Sequence, residues 1–303
     1  MLPDITICRQ HATTRRYAWR KHMIIMKDVE RRQGSFQMKN ISFSLPDGYI
    51  CGLVGRNGAG KTTLIHLLLG LYRPGNGEIS IDGMHYPEQE KIIHDRLGTV
   101  LVEELLDGEY TLWENGMLYG AYYSRFDAGE YESLLQEFRL EKQTRFRKLS
   151  KGQKLKCQFA FALACRPKYL LLDEPTANFD PQFREIFLKK IQEFVMDGEH
   201  TVLLSTHMTE DLDRLADYLI YLQKGELLYA GDMESFREKY RIVAGEHYKI
   251  KLLGDKVLGY EKRPLGTRAL VRHHKFQEYD RELTVTYPSI EEFMYLYERN
   301  ESL

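Results

Sequence analysis

Gly55-Arg56-Asn57-Gly58-Ala59-Gly60-Lys61-Thr62 matches the pattern G-x-x-x-x-G-K-[ST]. Apolar residues 49–54 lead into it and the apolar run 64–69 follows, so the local pattern predicts strand, loop and helix. The chemistry of phosphate binding needs that order. Glycines let backbone N–H groups approach phosphate oxygens, and the following helix points its positive end at the same anion. Lys61 adds a full charge where β- and γ-phosphates would lie, and the Thr62 hydroxyl can hold Mg²⁺. The nucleotide contacts read from this stretch run through Gly55, Arg56, Asn57, Gly58, Ala59, Gly60, Lys61 and Thr62 to Thr63.

Further along, Tyr169-Leu170-Leu171-Leu172-Asp173-Glu174-Pro175 is an apolar strand that ends in two acids. A carboxylate at a buried strand end is costly unless a cation or hydrogen-bond donor meets it. Beside a phosphate loop, Asp173 is expected to hold Mg²⁺, directly or through water. Glu174 is placed to accept a proton from a water aimed at the γ-phosphorus. By itself Glu174 would read as a solvated carboxylate at a strand end; the loop upstream decides against that. Between the two stretches lies Leu149-Ser150-Lys151-Gly152-Gln153, followed by a helix-like run through Ala164. Ser150 can cap this helix, and Gly152 keeps its first turn open to an anion. In isolation the pentapeptide is an ordinary helix start.

Taken together, these residues resemble the ATP-binding cassette of ABC transporters: Walker A at 55–62, an L-S-x-G-Q signature at 149–153, and Walker B at 169–174. Ala177-Asn178-Phe179-Asp180 is similar to the family's D-loop, and Leu204-Ser205-Thr206-His207 to its switch histidine. All five stand in the family's order, over roughly residues 24–231. The resemblance implies an α/β P-loop NTPase cassette with a parallel core sheet, an antiparallel β subdomain and an inserted helical subdomain. It implies ATP and Mg²⁺ as ligands, with Glu174 and His207 as the catalytic residues, His207 touching the γ-phosphate or orienting the attacking water. It also implies two cassettes meeting head to tail, in a homodimer or a heterodimer. Ser150, Gly152 and Gln153 would then meet a nucleotide held by the facing copy.

The chain departs from the family pattern twice. A Gln usually ends the strand after Walker A, near Mg²⁺ and the transmembrane contact. Aligning Leu97-Gly98-Thr99-Val100-Leu101 to that strand puts Val102 there, with Glu103 and Glu104 following. Glu103 is the candidate substitute metal ligand, beside Thr62 and Asp173. The aromatic that stacks on adenine is missing near Arg32-Gln33; Phe36 is either its replacement or a plain core residue.

Composition bounds the rest. The 303 residues allow one large domain or a main domain with an appendage, and a net charge of −1 gives no argument for a nucleic-acid partner. No apolar run reaches the ~18 residues needed to cross a bilayer. Any span is therefore expected from a separate permease, with this chain peripheral on the cytoplasmic face of the cell membrane. Cys8, Cys51, Cys157 and Cys165 lack C-x-x-C spacing and read as reduced, mostly buried thiols.

Residues 1–22 are rich in Arg without an apolar h-region. A transit peptide, a basic arm touching anionic lipid and a disordered leader compete, and the leader is preferred, with Met23 or Met26 as possible starts. Residues 24–44 read as a small antiparallel sheet, about 87–166 as a helical subdomain rich in aromatics, and 168 onward as strands buried on both faces. From 232 to 303 an α+β accessory region is expected: strands at 248–253, 268–271 and 283–287, then a helix opened by a capping box at Ser289. The aromatics of 110–126 read mostly as subdomain core, the remainder as a groove for a helix of the membrane subunit.

The function expected is the ATP-hydrolysing subunit of an ABC transporter, most similar to bacterial exporters of peptide antibiotics. A non-transport ABC ATPase, or a regulatory cassette with slow hydrolysis, is the alternative. A single phosphate loop and the absence of zinc-binding Cys pairs or long heptads weigh against ribosome- and DNA-acting types.

Overall fold

Apolar residues alternate along Ile24–Gln33 (β1) and Phe36–Leu45 (β2), and the two strands pair antiparallel. The computed structural model describes residues 23–274 and 278–299, so the expected leader and Cys8 lie outside the described residues. The inward row of this hairpin, including Ile24, Met26, Met38 and Ile41, is fully buried. The chain then enters Ile50–Val54 (β3), passes the glycine-rich loop into Lys61–Leu68 (α1), and returns as Asn76–Ile81 (β4). Strand β4 pairs with β1, completing a three-stranded sheet in the order β2-β1-β4.

Next come Glu90–His94 (α2) and Leu97–Val100 (β5). The helical reading from residue 87 therefore needs amending: β5 belongs to the core sheet, where it pairs with the strand that carries Asp173. Four residues are too few to show a period, which is why only the family alignment hinted at it. The helical insertion proper follows, with Leu112–Gly120 (α3), Ala128–Glu137 (α4) and Lys151–Ala164 (α5). Thr111, Asp127 and Ser150 each accept a hydrogen bond from the third residue of their helix, the pattern that satisfies orphan N–H groups. Aromatic residues fill the space between: Tyr131 is fully buried, its hydroxyl donates to Leu112 O at 2.9 Å, and Phe161 stands edge-on to it.

After the insertion, Tyr169–Asp173 (β6), Pro181–Val195 (α6), Thr201–Ser205 (β7), Thr209–Leu215 (α7) and Tyr218–Gln223 (β8) continue the sheet, and Glu226–Asp232 (β9) turns back antiparallel at its edge. The order is β5-β6-β7-β3-β8-β9, parallel through β8. Strand alternation sends Leu170 and Leu172 into one buried cluster, with α5 and α6, and Tyr169 and Leu171 into another, with α1 and the β1–β2 hairpin. Loops at the carboxyl ends of β3, β6 and β7 therefore converge on one edge, where ligands of open α/β sheets bind.

The remaining elements are Met233–Lys239 (α8), Tyr240–Gly245 (β10), His247–Lys251 (α9), Val257–Arg263 (β11), Gly266–Arg272 (β12), Thr284–Thr286 (β13) and Ile290–Tyr297 (α10). Their sheet is antiparallel, in the order β11-β12-β10-β13. The strand expected at 248–253 is instead mostly α9. Tyr248, Ile250 and Leu252 alternate in sequence, but Tyr248 and Leu252 face solvent while Lys249 is buried on Asp280 and Glu282. The capping box at Ser289 forms as read. This region also shares its core with the preceding sheet: Ile290, Phe293 and Leu296 join Tyr221 of β8 and Phe236 in the cluster that includes α5 and α6.

Among the described residues, the free cysteines Cys51, Cys157 and Cys165 are buried, and burial pushes the Cys157 and Cys165 thiols up to about 12. No described helix is long and apolar enough to cross a membrane.

Candidate nucleotide site

The loop after β3 is pinned as the sequence pattern requires. Ala59 N–H donates to Arg56 O at 3.0 Å, and Ala59 O accepts from Gly225 N–H at 3.0 Å. Gly60 sits at φ 109°, and a Cβ there would lie 2.8 Å from the Phe36 ring, so this position needs glycine on both counts. Lys61, only 7% exposed, turns its ammonium back over the loop and donates to Gly55 O at 2.7 Å. An ammonium held by a single carbonyl, 3.4 Å from a carboxylate of Glu174, is a cation with donors in reserve for an anion.

The end of β6 supplies the acids. Thr62 Oγ1 donates to Asp173 Oδ2 at 2.7 Å, and Ser205 Oγ donates to Asp173 Oδ1 at 2.5 Å. Asp173 is 1% exposed, so these two hydroxyls satisfy a buried carboxylate. Glu174 follows at φ 47°, ψ 41°, a left-handed conformation that costs a non-glycine residue roughly 1 kcal/mol or more. The bend is held by Glu174 N–H, which donates to both the carbonyl and the hydroxyl of Ser205 at 3.1 Å. It swings the carboxylate off the strand line, so that Oε1 meets Lys61 while Oε2 accepts from His207 N–H at 3.1 Å and faces His207 Nδ1 at 2.7 Å. Lys61, Thr62, Asp173, Glu174 and His207 thus form one linked constellation. Thr62 and Asp173 are hard oxygen donors, the kind that suits Mg²⁺ alongside phosphate oxygens.

The signature residues stand apart. Ser150 and Gln153 bond each other in a reciprocal capping box and face solvent. Gly152 lies against the D-loop: a Cβ there would sit 2.4 Å from Asn178 O. Gly152→Ala must therefore push the start of α5 away from the D-loop. We expect the variant to fold and bind nucleotide while ATPase turnover falls at least about tenfold, as a steady-state assay would measure.

Some expected contacts go elsewhere. Val102 is exposed, and the Glu103 carboxylate, 56% exposed, faces His66 Nε2 at 3.9 Å instead of joining Thr62 and Asp173. Phe36 is half-buried over Gly60 and packs on the hairpin core. Two contributors escaped the sequence reading. Ser205 works through the register that sets it beside Asp173, and a strand register is invisible to motif spacing. Gln158 is 2% exposed on α5; its amide accepts from Leu101 N–H at 3.1 Å and donates to Glu103 O at 3.0 Å, tying the segment after β5 to the signature helix. A buried Gln in an apolar helix face was the available signal. Beside it opens a groove of ≈ 340 Å³ lined by Leu69, Leu105, Tyr119, Tyr122 and Phe161. Trp113, Tyr119 and Phe126 pack against the core, while Tyr122 is 74% exposed.

Comparison with known proteins adds to this geometry. The family model described as ABC transporter matches residues 38–177. Nod factor export ATP-binding protein I of Rhizobium leguminosarum bv. viciae is 34% identical over 232 residues, spanning 73% of this chain and 74% of its own. A solved ATP-binding subunit of an ABC transporter superposes with a TM-score of 0.66 at 28% identity, covering 71% of this chain and 92% of that one. A dimeric ATP-binding cassette in a post-hydrolysis state, bound to ADP and Pi, superposes with a TM-score of 0.63 at 25% identity, covering 70% and 99%. The relative named here carries Nod factor export in its name, whereas the sequence resemblance pointed to exporters of peptide antibiotics.

Proposed function

This chain belongs to the ABC transporter family as an ATP-binding, ATP-hydrolysing subunit of exporter type, and on that premise we propose how its residues divide the work. The loop from Gly55 to Thr63 receives the triphosphate, with Lys61 exchanging the Gly55 carbonyl for phosphate oxygens. Thr62 and Asp173 would hold Mg²⁺, which when bound would supply positive charge to the phosphates. Glu174 accepts the proton of the attacking water, and His207 keeps that carboxylate aimed. Ser150, Gly152 and Gln153 act on the nucleotide of a second cassette, since their own bonds are local and their surface is open. Glu103 serves the edge facing His66 and is not needed as a metal ligand. In this reading the groove beside Gln158 takes a helix of a separate transmembrane permease, with the chain at the cytoplasmic face of the membrane.

The observation that carries this reading is the single constellation joining Lys61, Thr62, Asp173, Glu174 and His207. Its test is specific ATPase activity across serial dilution with saturating MgATP. A chain that lends half of each site to another copy must lose specific activity as the dimer dissociates. Activity unchanged by dilution, in a particle that sediments as a monomer, would refute the shared site.

A further inference from the structure

Glu298, just past the end of α10, places Oε2 3.0 Å from Arg56 Nη1, the second residue of the glycine-rich loop. Its surroundings are unusual for a carboxylate. The side chain is 18% exposed, and among the described residues Oε1 is buried without a hydrogen-bond partner. The Tyr221 hydroxyl, in the same region, is likewise buried and unpartnered among them; burial first, and then the Glu298 charge, push that phenol up. Tyr221 pairs with Val54, the residue that leads into the loop, and the rings of Phe293 and Tyr297 stand edge-on to it at 5.5 and 6.1 Å. At the opposite end of α10, Ile290 N–H donates to the Asp213 carboxylate at 3.1 Å. Asp213 lies on α7, the helix that follows His207. One helix of the carboxy-terminal region is therefore fastened both behind the switch histidine and onto the phosphate loop.

We propose that Glu298 is a positioning residue for nucleotide binding: it holds the Arg56 guanidinium on α10, and a bound nucleotide competes with it for that cation. The inference rests on reading residues 55–63 as the nucleotide loop. A triphosphate bound by this loop brings negative charge to the loop that carries Arg56, the cation Glu298 holds. Arg56, attached to the Glu298 carboxylate, is then pulled two ways. Arg56, itself 75% exposed, is the cation opposite the half-buried Glu298 carboxylate, so losing this modest pair loosens the end of α10. Coupling is reciprocal: what nucleotide does to the helix, the helix does to nucleotide affinity. Anything that grips the carboxy-terminal region thereby acts on ATP binding.

The test is equilibrium titration with MgATP of the full chain, Glu298→Gln, Arg56→Gln and the double variant. Glu298→Gln should bind about three- to tenfold more tightly, and the same substitution in the Arg56→Gln background should change affinity less than twofold. Deuterium exchange of the unmodified chain adds a measurement free of substitutions: MgATP should speed exchange of amides in 290–299. A purely structural Glu298 would lower thermal stability without this charge-specific non-additivity. Unchanged or weaker binding by Glu298→Gln, an equal gain in the Arg56→Gln background, or exchange in 290–299 that nucleotide does not raise would each overturn the proposal. If the unmodified chain binds no MgATP, the nucleotide reading falls first and this inference with it.

Discussion

Glu174→Gln should leave MgATP affinity within about threefold of the unmodified chain while steady-state turnover drops by roughly two to four orders of magnitude, the usual contribution of a positioned general base. The amide has the shape of the carboxylate but accepts no proton at neutral pH, so the loss falls on the chemical step. Geometry makes the substitution mild for the fold. Glu174 is bent by its backbone contacts to Ser205, which the variant keeps, and the side-chain oxygen facing His207 remains an acceptor. Lys61 loses a carboxylate at 3.4 Å, which frees its charge for phosphate. Binding that holds while turnover vanishes should also trap the paired cassettes, visible as a dimer peak in sedimentation with MgATP. Near-normal turnover would remove Glu174 from the role of base, and lost binding would point to misfolding.

Lys61→Ala should produce the opposite split. Its ammonium is the buried cation of the loop, and removing it leaves Glu174 without that counter-charge where an anion must enter. Truncating one member of a buried, hydrogen-bonded charge pair costs about 2–5 kcal/mol, so affinity should fall between ~30-fold and several-thousand-fold. The ammonium bonds back to its own loop through Gly55 O, so far-UV circular dichroism should match the unmodified chain. Titration within threefold of normal would show that the anchor of the phosphates lies elsewhere.

What could be read in advance was what the chain writes consecutively. The glycine-rich loop, the strand ending in Asp173 and Glu174, and the capped helix at Ser150 are each a short run with its own physical rationale, and each folds as that run predicts. Features that depend on two distant runs meeting stayed hidden. Ser205 matters through its register with Asp173, Gln158 through the backbone it grips after β5, and Glu298 through a contact with Arg56 across most of the chain. Helix α9 misled for a related reason. Of its alternating apolar residues Ile250 is buried but Tyr248 and Leu252 face solvent, and the rule that charge stays outside fails once Lys249 finds Asp280 and Glu282. The pattern change after residue 231 is real in sequence, yet packing does not stop there, since Tyr221 and Phe293 share one cluster.

That shared cluster carries a consequence for how the protein is made. Helix α10 packs on the Tyr221 ring that strand β8 contributes much earlier in the chain. During synthesis, with amino-terminal parts emerging first, that ring stays uncovered by α10 until residues 290–297 have left the ribosome. The newborn chain thus keeps an unfinished apolar face toward solvent through that interval, and the last-made helix is the one that closes it.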